Sequence, residues 1–158
     1  MNILKNKGIS VLEILIVLSI IGILAAIVLP SLSLFRREQT LNNTTGDVVS
    51  LLNSARNNTI SSLSSNNYGV HFQSDRATYF TGSVFNSGDA TNVPLIFDSS
   101  VTIPSINGIN LNGGGSDVIF TRLTGDTPNY GTIIVALTSD STRKKTISIS
   151  KTGSISAN

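Results

Sequence analysis

The sequence predicts an α+β fold in which a long N-terminal helix, membrane-spanning in its first half and amphipathic in its second, packs on a small antiparallel β domain of two sheets. Three observations predict it. An apolar run fills positions 9–29, a stripe of apolar residues at helical spacing continues from Leu34 to Leu63, and short alternating or β-branched stretches follow from Tyr68 to the end. The chain divides accordingly into an eight-residue head (1–8), a spanning helix (9–30), an amphipathic helix (31–65) and a β-rich domain (66–158).

The run Ile9–Leu29 contains one charge, Glu13, in 21 residues. At the helical rise this length covers roughly 30 Å, the thickness of a bilayer's hydrocarbon core. A secretory signal would show a shorter apolar stretch, a small-residue cleavage site and a polar mature start. Here Ala25 and Ala26 are small, but Ile27, Val28 and Leu29 carry the apolar run past them. Flanking charge leaves the orientation open, because Lys5 and Lys7 precede the span while Arg36 and Arg37 follow it. The size mismatch between a tiny head and a large tail favours a tail outside the cytoplasm.

Glu13 needs an explanation, since an ionisable group within a span costs about 2.5–3.5 kcal/mol at the centre on insertion scales. Two readings stand. It sits near the helix end and snorkels to the headgroups, or it pairs with a cation. A cut between Gly8 and Ile9 would supply that cation, placing a new α-amino group at i and i+4 from Glu13, on this chain or a neighbour.

Lys7-Gly8, then Ile9-Ser10-Val11-Leu12-Glu13 and a long apolar helix resemble the leader of type IV prepilins and type II secretion pseudopilins. The resemblance covers about 25 residues, judged against the span length. It implies that a membrane prepilin peptidase cuts after Gly8 on the cytoplasmic side and N-methylates Ile9, a position where the family usually has Phe. It further implies a single-pass protein of the inner membrane with its C-terminal domain outside the cytoplasm. Membrane lipid, an assembly platform and other pilin or pseudopilin subunits would be its partners, and Glu13 and Pro30 its assembly residues. In related pilins the helix near the matching proline melts on entry into the filament, which directs attention to Gly22–Pro30.

Proline removes one helical hydrogen bond and clashes with the preceding turn, so Pro30 predicts a kink or break. Beyond it, Leu34, Leu41, Val48, Leu52, Ala55 and Leu63 recur mostly at spacings of three, four or seven. The stretch from Val48 to Leu63 reads as a core-facing helix under a sheet, and the lower half as exposed. The helix is expected to end near Leu63 and the chain to turn at Asn66-Asn67. Strands are expected at 68–72, 77–80, 95–97, 101–103, 109–111, 118–120, 132–137, 146–150 and 153–156. Turn signals separate them, among them Gly88-Asp89, Gly113-Gly114-Gly115 and Ser139-Asp140.

So many strands in two sheets exceed a typical major pilin. Together with Leu51-Leu52-Asn53-Ser54-Ala55-Arg56 and the hairpins at 70–80 and 146–155, they resemble the minor pseudopilin class H of type II secretion and the related DNA-uptake minor pilins. There is no Cys in the chain, so no disulfide bounds the C-terminal region.

Enzymatic chemistry finds little purchase. The only His is His71, within an alternating strand, and it reads as an ordinary sheet residue. Gly113-Gly114-Gly115-Ser116 lacks the Lys and the following helix of a phosphate loop. Asp117, Asp126 and Asp140 match no compact calcium loop. No catalytic residue, metal site or cofactor is assigned.

The formal charge of +2 resides in Lys5 and Lys7, leaving nine basic against nine acidic residues from Ile9 onward. Attraction to nucleic acid or anionic lipid therefore has to come from a local cluster. Arg143-Lys144-Lys145, with Lys151 in the next turn, is the one such cluster in the domain. Two readings remain for it, a solvated hairpin tip or a DNA contact in an uptake pilin. A third reading of the whole chain, a membrane-anchored surface domain that never polymerises, leaves Glu13 without a use.

Overall fold

The computed structural model describes residues 10–158, and at positions 28–31 the backbone only. The head 1–8 and the Gly8–Ile9 junction thus lie outside the described residues. The chain forms two compact units, divided between Arg36 and Arg37.

One helix, α1, runs Val11–Ile60 and is helical at position 30, so the break that was one of the two expectations for Pro30 does not occur. Nine strands follow: β1 Tyr68–Phe72, β2 Arg76–Thr81, β3 Val93–Ile96, β4 Val101–Thr102, β5 Ile109–Leu111, β6 Asp117–Ile119, β7 Gly131–Leu137, β8 Asp140–Ile149 and β9 Ile155–Ala157. They make two sheets, one ordered β3-β2-β1-β6 and the other β4-β7-β8-β9 with β5 also on β7. All pairings are antiparallel.

In the second unit the helix buries Leu41, Val48, Leu52 and Ala55, spaced seven, four and three apart. They meet Val70, Phe72, Val118 and Phe120 of one sheet and Ile133, Val135, Ile147 and Ile149 of the other in one core. The hydroxyls that share this face are satisfied locally. Thr45 Oγ1 donates to the Leu41 carbonyl (2.8 Å), and Thr59 Oγ1 donates to the Ala55 carbonyl (2.7 Å) while accepting the Tyr68 N–H (3.0 Å). Thr59 thereby ties the last helical turn to the first strand.

The helix ends at Ile60, short of Leu63, and the reversal falls on serines and not on Asn66-Asn67. Ser62, Ser64 and Ser65 take φ of 53°, 51° and 58°, whereas Asn66 is extended at φ −108°. Serine hydroxyls compete with helical hydrogen bonding, and the Ser61 hydroxyl donates to the Asn58 carbonyl at 3.2 Å. Leu63 is consequently exposed and adds nothing to the core stripe.

The outer face of the first sheet carries its own small cluster. Phe80 is buried above Gly69, where an added Cβ would lie 2.7 Å from the Phe80 ring. Phe85, from the loop after β2, stacks on His71 with centroids 3.9 Å apart and meets Phe80 edge-on at 5.5 Å. His71 Nδ1 is 2.5 Å from Asp117 Oδ1. Their strands place them opposite each other between hydrogen-bonded pairs, where side chains approach most closely.

Pro94 has a legible place on edge strand β3. Phe97 N–H donates to the Asp75 carbonyl, and the alternation of an antiparallel ladder then turns the nitrogen of Pro94 away from β2. Its missing donor lies on the open edge, which discourages addition of a further strand.

Candidate functional site

Two regions stand out, an apolar stem in the first unit and a basic rim in the second. Along the stem every large apolar side chain from Val11 to Ile27 is exposed, from 48% at Ile14 and Val17 to 76% at Val11. Burial of such a side chain is worth about 1.5–3 kcal/mol, so this surface calls for lipid or for other helices. It has the length and composition to cross a membrane. Ser19, a polar side chain within this run, donates to the Leu15 carbonyl at 2.7 Å and so hides its hydroxyl within the helix.

Glu13 sits in the first turn of α1 and is exposed. A carboxylate there complements the unpaired N–H groups of the helix start. Among the described residues no side chain pairs with it. Gly8 and Ile9, the expected cut and methylation positions, lie outside the described residues, and Pro30 lies in the backbone of the helix.

The basic rim is built by α1 and β8. The hairpin joining β7 to β8 turns at Thr138-Ser139, and β8 begins at Asp140. Arg143, Lys144 and Lys145 are therefore strand residues, which corrects their reading as a hairpin tip. The polar run conceals the strand because its pairing comes from β7: Lys144 lies opposite Ala136 and Lys145 opposite Val135. The register then shifts, Leu137 pairing with Asp140, so the intervening residues bulge.

Within the bulge Asp140 Oδ1 accepts the Thr142 N–H (3.0 Å) and hydroxyl (2.6 Å). These bonds, the hydroxyl's foremost, hold its carboxyl below the usual range. Arg143 is committed on both sides, by an ion pair from Nη1 to Glu38 and a contact of 3.6 Å from Nε to Asp140. Arg37 Nη1 donates to Ser139 Oγ at 3.1 Å. Lys144 and Lys145 line one cleft with Glu38, Asn42, Thr142 and Arg143.

Lys151 does not join this group. It occupies the turn between β8 and β9, six residues beyond Lys145, or about 20 Å at strand rise. There its carbonyl accepts the Thr127 N–H at 3.0 Å. Asp117 is taken by His71, and among the described residues no three acidic, His or Cys side chains gather into a metal site.

Two parts escaped sequence reasoning. Arg37 and Glu38 anchor the rim, and their signal was the charged run Arg36-Arg37-Glu38 after the apolar stem. Arg56, noted only as part of a motif, reaches the turn between β8 and β9. Its Nη2 donates to the Thr152 carbonyl at 3.4 Å, and its Nε lies where a Cβ on Gly153 would come within 2.7 Å.

No protein-family model matches the sequence, and no curated protein matches it. In structure the chain is similar to the crystal structure of the type IV minor pilin FimU of Pseudomonas aeruginosa. The TM-score is 0.54 at 16% identity, over 75% of this chain and 92% of that one. At this identity the likeness concerns the fold, a pilin-like arrangement of one long N-terminal helix and two antiparallel sheets.

Proposed function

We propose that the chain is a structural subunit, a minor pilin or pseudopilin, of a type IV pilus-like or type II secretion filament. The observation that carries this reading is an apolar stem with no cover of its own, leading into a domain of pilin-like fold. The precursor sits in the inner membrane with its C-terminal domain outside the cytoplasm. Prepilin peptidase removes residues 1–8 after Gly8 and methylates Ile9. An assembly platform then moves the stem from lipid into a bundle of neighbouring stems. Both environments cover the same apolar side chains, so the transfer exchanges one partner for another at little net cost.

Glu13 supplies direction. Buried among stems, it pairs with the α-amino group of Ile9 on its own chain or a neighbour and fixes their axial register. Pro30 deprives one carbonyl of its helical donor, which supports Gly22–Pro30 as the segment that unwinds on filament entry. A filament map with regular helix throughout that segment would sink this part.

The deciding experiment is co-expression with a prepilin peptidase, followed by intact mass and N-terminal sequence. Loss of Met1–Gly8 with a methyl group on Ile9 is expected. An uncut chain, or one cut after Ala26, would leave only an anchored or secreted domain. A Glu13→Leu variant should still be cut and methylated yet fail to enter filaments.

A DNA-uptake role receives no contiguous footprint, since Lys151 stands apart from Arg143–Lys145 and Arg143 is paired with two carboxylates.

A further inference from the structure

Two Asn-Gly dipeptides flank β5, Asn107-Gly108 before it and Asn112-Gly113 after it. An asparagine followed by glycine is able to react with its own backbone, because no Cβ shields the glycine nitrogen from the side-chain amide carbon. The reaction needs the peptide between the two residues to rotate until that nitrogen reaches Cγ. The fold treats the two dipeptides differently.

At the first, the backbone is locked. Gly108 is buried, an added Cβ would lie 1.9 Å from the Pro104 carbonyl oxygen, and its own carbonyl accepts the Ile134 N–H at 2.7 Å. A close-packed interior leaves the 107–108 peptide no room to rotate. At the second, Gly113, Gly114 and Gly115 are exposed, and an added Cβ would meet nothing within 4 Å at any of them. Among the described residues the Gly113 N–H has no acceptor, and one turn bond, from the Gly114 N–H to the Leu111 carbonyl at 3.0 Å, restrains the segment. Asn112 itself is held, its N–H donating to the Tyr130 carbonyl at 2.7 Å and its Nδ2 to the Pro128 carbonyl at 3.1 Å. The electrophilic carbon is thus fixed at the rim of the domain, and the nucleophile lies on backbone that nothing obstructs.

We propose that Asn112-Gly113 is a self-modification site at which the folded protein deamidates, while Asn107-Gly108 is preserved. The Gly113 nitrogen gives its proton to water or hydroxide and bonds to Cγ of Asn112. The Cγ–Nδ2 bond breaks, and Nδ2 leaves as ammonia after taking up a proton from solvent. Water then opens the cyclic imide. Cleavage of the nitrogen–Cγ bond leaves an aspartyl residue at position 112, and cleavage at the main-chain carbonyl leaves an isoaspartyl one. The balance is one amide and one water converted to one acid and one ammonia, with no oxidant, metal or enzyme. Either product lacks the amide donor to Pro128 and carries a new negative charge, so the tie between this loop and the turn before β7 is lost. The inference stands whether or not the chain enters filaments.

The test uses the full chain in detergent, fresh and after prolonged incubation in mildly alkaline buffer. Trypsin releases both dipeptides in one peptide, residues 77–122, and fragmentation in the mass spectrometer reads each position separately. In the folded protein position 112 should pass from amide to acid with an isoaspartyl fraction, while position 107 keeps its amide. With the domain unfolded in urea both should convert, which separates the restraint of the fold from the chemistry of the dipeptide. Asn112→Gln keeps an amide but closes no such ring readily, and should lose the acidic form that the aged protein gains on isoelectric focusing. Retention of the amide at 112 in the folded chain, or conversion at 107 as fast as at 112, would overturn the proposal. Amide hydrogen exchange across 112–116 should quicken in the aged protein, and unchanged exchange there would overturn the release of the loop.

Discussion

Among the glycines, Gly153 combines a left-handed backbone with the tightest surroundings. Its φ is +74°, and an added Cβ would fall 1.9 Å from the Gly125 carbonyl oxygen and 2.7 Å from Arg56 Nε. A side chain there strains the backbone and also pushes apart two turns that lie against each other, at Gly125 and Gly153. Gly153→Ala should therefore destabilise the domain by about 1–3 kcal/mol, read as a lowered Tm of the protein in detergent. A second residue-scale device recurs three times. Asp89, Asp98 and Asp140 each accept from the N–H and hydroxyl of the Ser or Thr two residues on. The pattern Asp-x-Ser/Thr is present in the sequence, where Asp89 and Asp140 stand out only as turn signals and Asp98 not at all. These bonds lower all three carboxyl pKa values, and the guanidinium of Arg76 does the same for Asp75. A lowered folded pKa means stability that is complete above the unfolded value, about 3.9, and lost as pH falls through the folded one. Thermal stability should thus be flat from neutral pH to about 5 and decline below about 4. Asp98→Asn keeps an acceptor but does not titrate, so its acid limb should be shallower; superimposable limbs would contradict the assignment.

At the scale of elements, what the sequence made legible was whatever repeats. The stripe Leu41, Val48, Leu52, Ala55 faces the core as its spacing requires, and β5 occupies its expected positions Ile109–Leu111. What stayed hidden was structure that one segment imposes on another. Asp140–Lys145 has no apolar alternation and becomes strand because β7 pairs with it. The loop after β2 has no periodicity, yet Phe85 fixes it to the outer face through His71 and Phe80. The site divides along the same line. The apolar stem could be read directly, whereas the partnership of Glu38 with Arg143 joins positions 105 apart. The helix itself permits a paired test. Leu52→Ala removes a side chain with no exposure and should cost about 2–5 kcal/mol, while Leu34→Ala, 46% exposed, should stay within about 0.5 kcal/mol. Urea unfolding of both variants in detergent would check this, and comparable losses would show that the lower stripe is buried after all.

For the whole molecule, the distribution of burial predicts a separation of tasks. Among the described residues, every residue of the hydrophobic core, from Leu41 to Ile149, belongs to the unit that begins at Arg37, and none comes from the stem. A fragment of residues 37–158 keeps the Arg37–Ser139 bond, the Glu38–Arg143 pair and the Arg56–Thr152 bond. Cutting there exposes four N–H groups at a new helix start, but Glu38 falls in the first turn, where a carboxylate compensates by about 0.3–1 kcal/mol. The fragment should then be a soluble monomer that unfolds in one cooperative step, with a Tm within a few degrees of the full chain and no flotation with neutral vesicles. Circular dichroism melts, sedimentation and flotation check these points. A fragment that is monomeric but melts broadly would mean that the stem half of the helix stabilises the domain. A compact, cooperative fragment would instead show that the domain owes none of its stability to the stem, and would free the stem's sequence from any part in folding the domain.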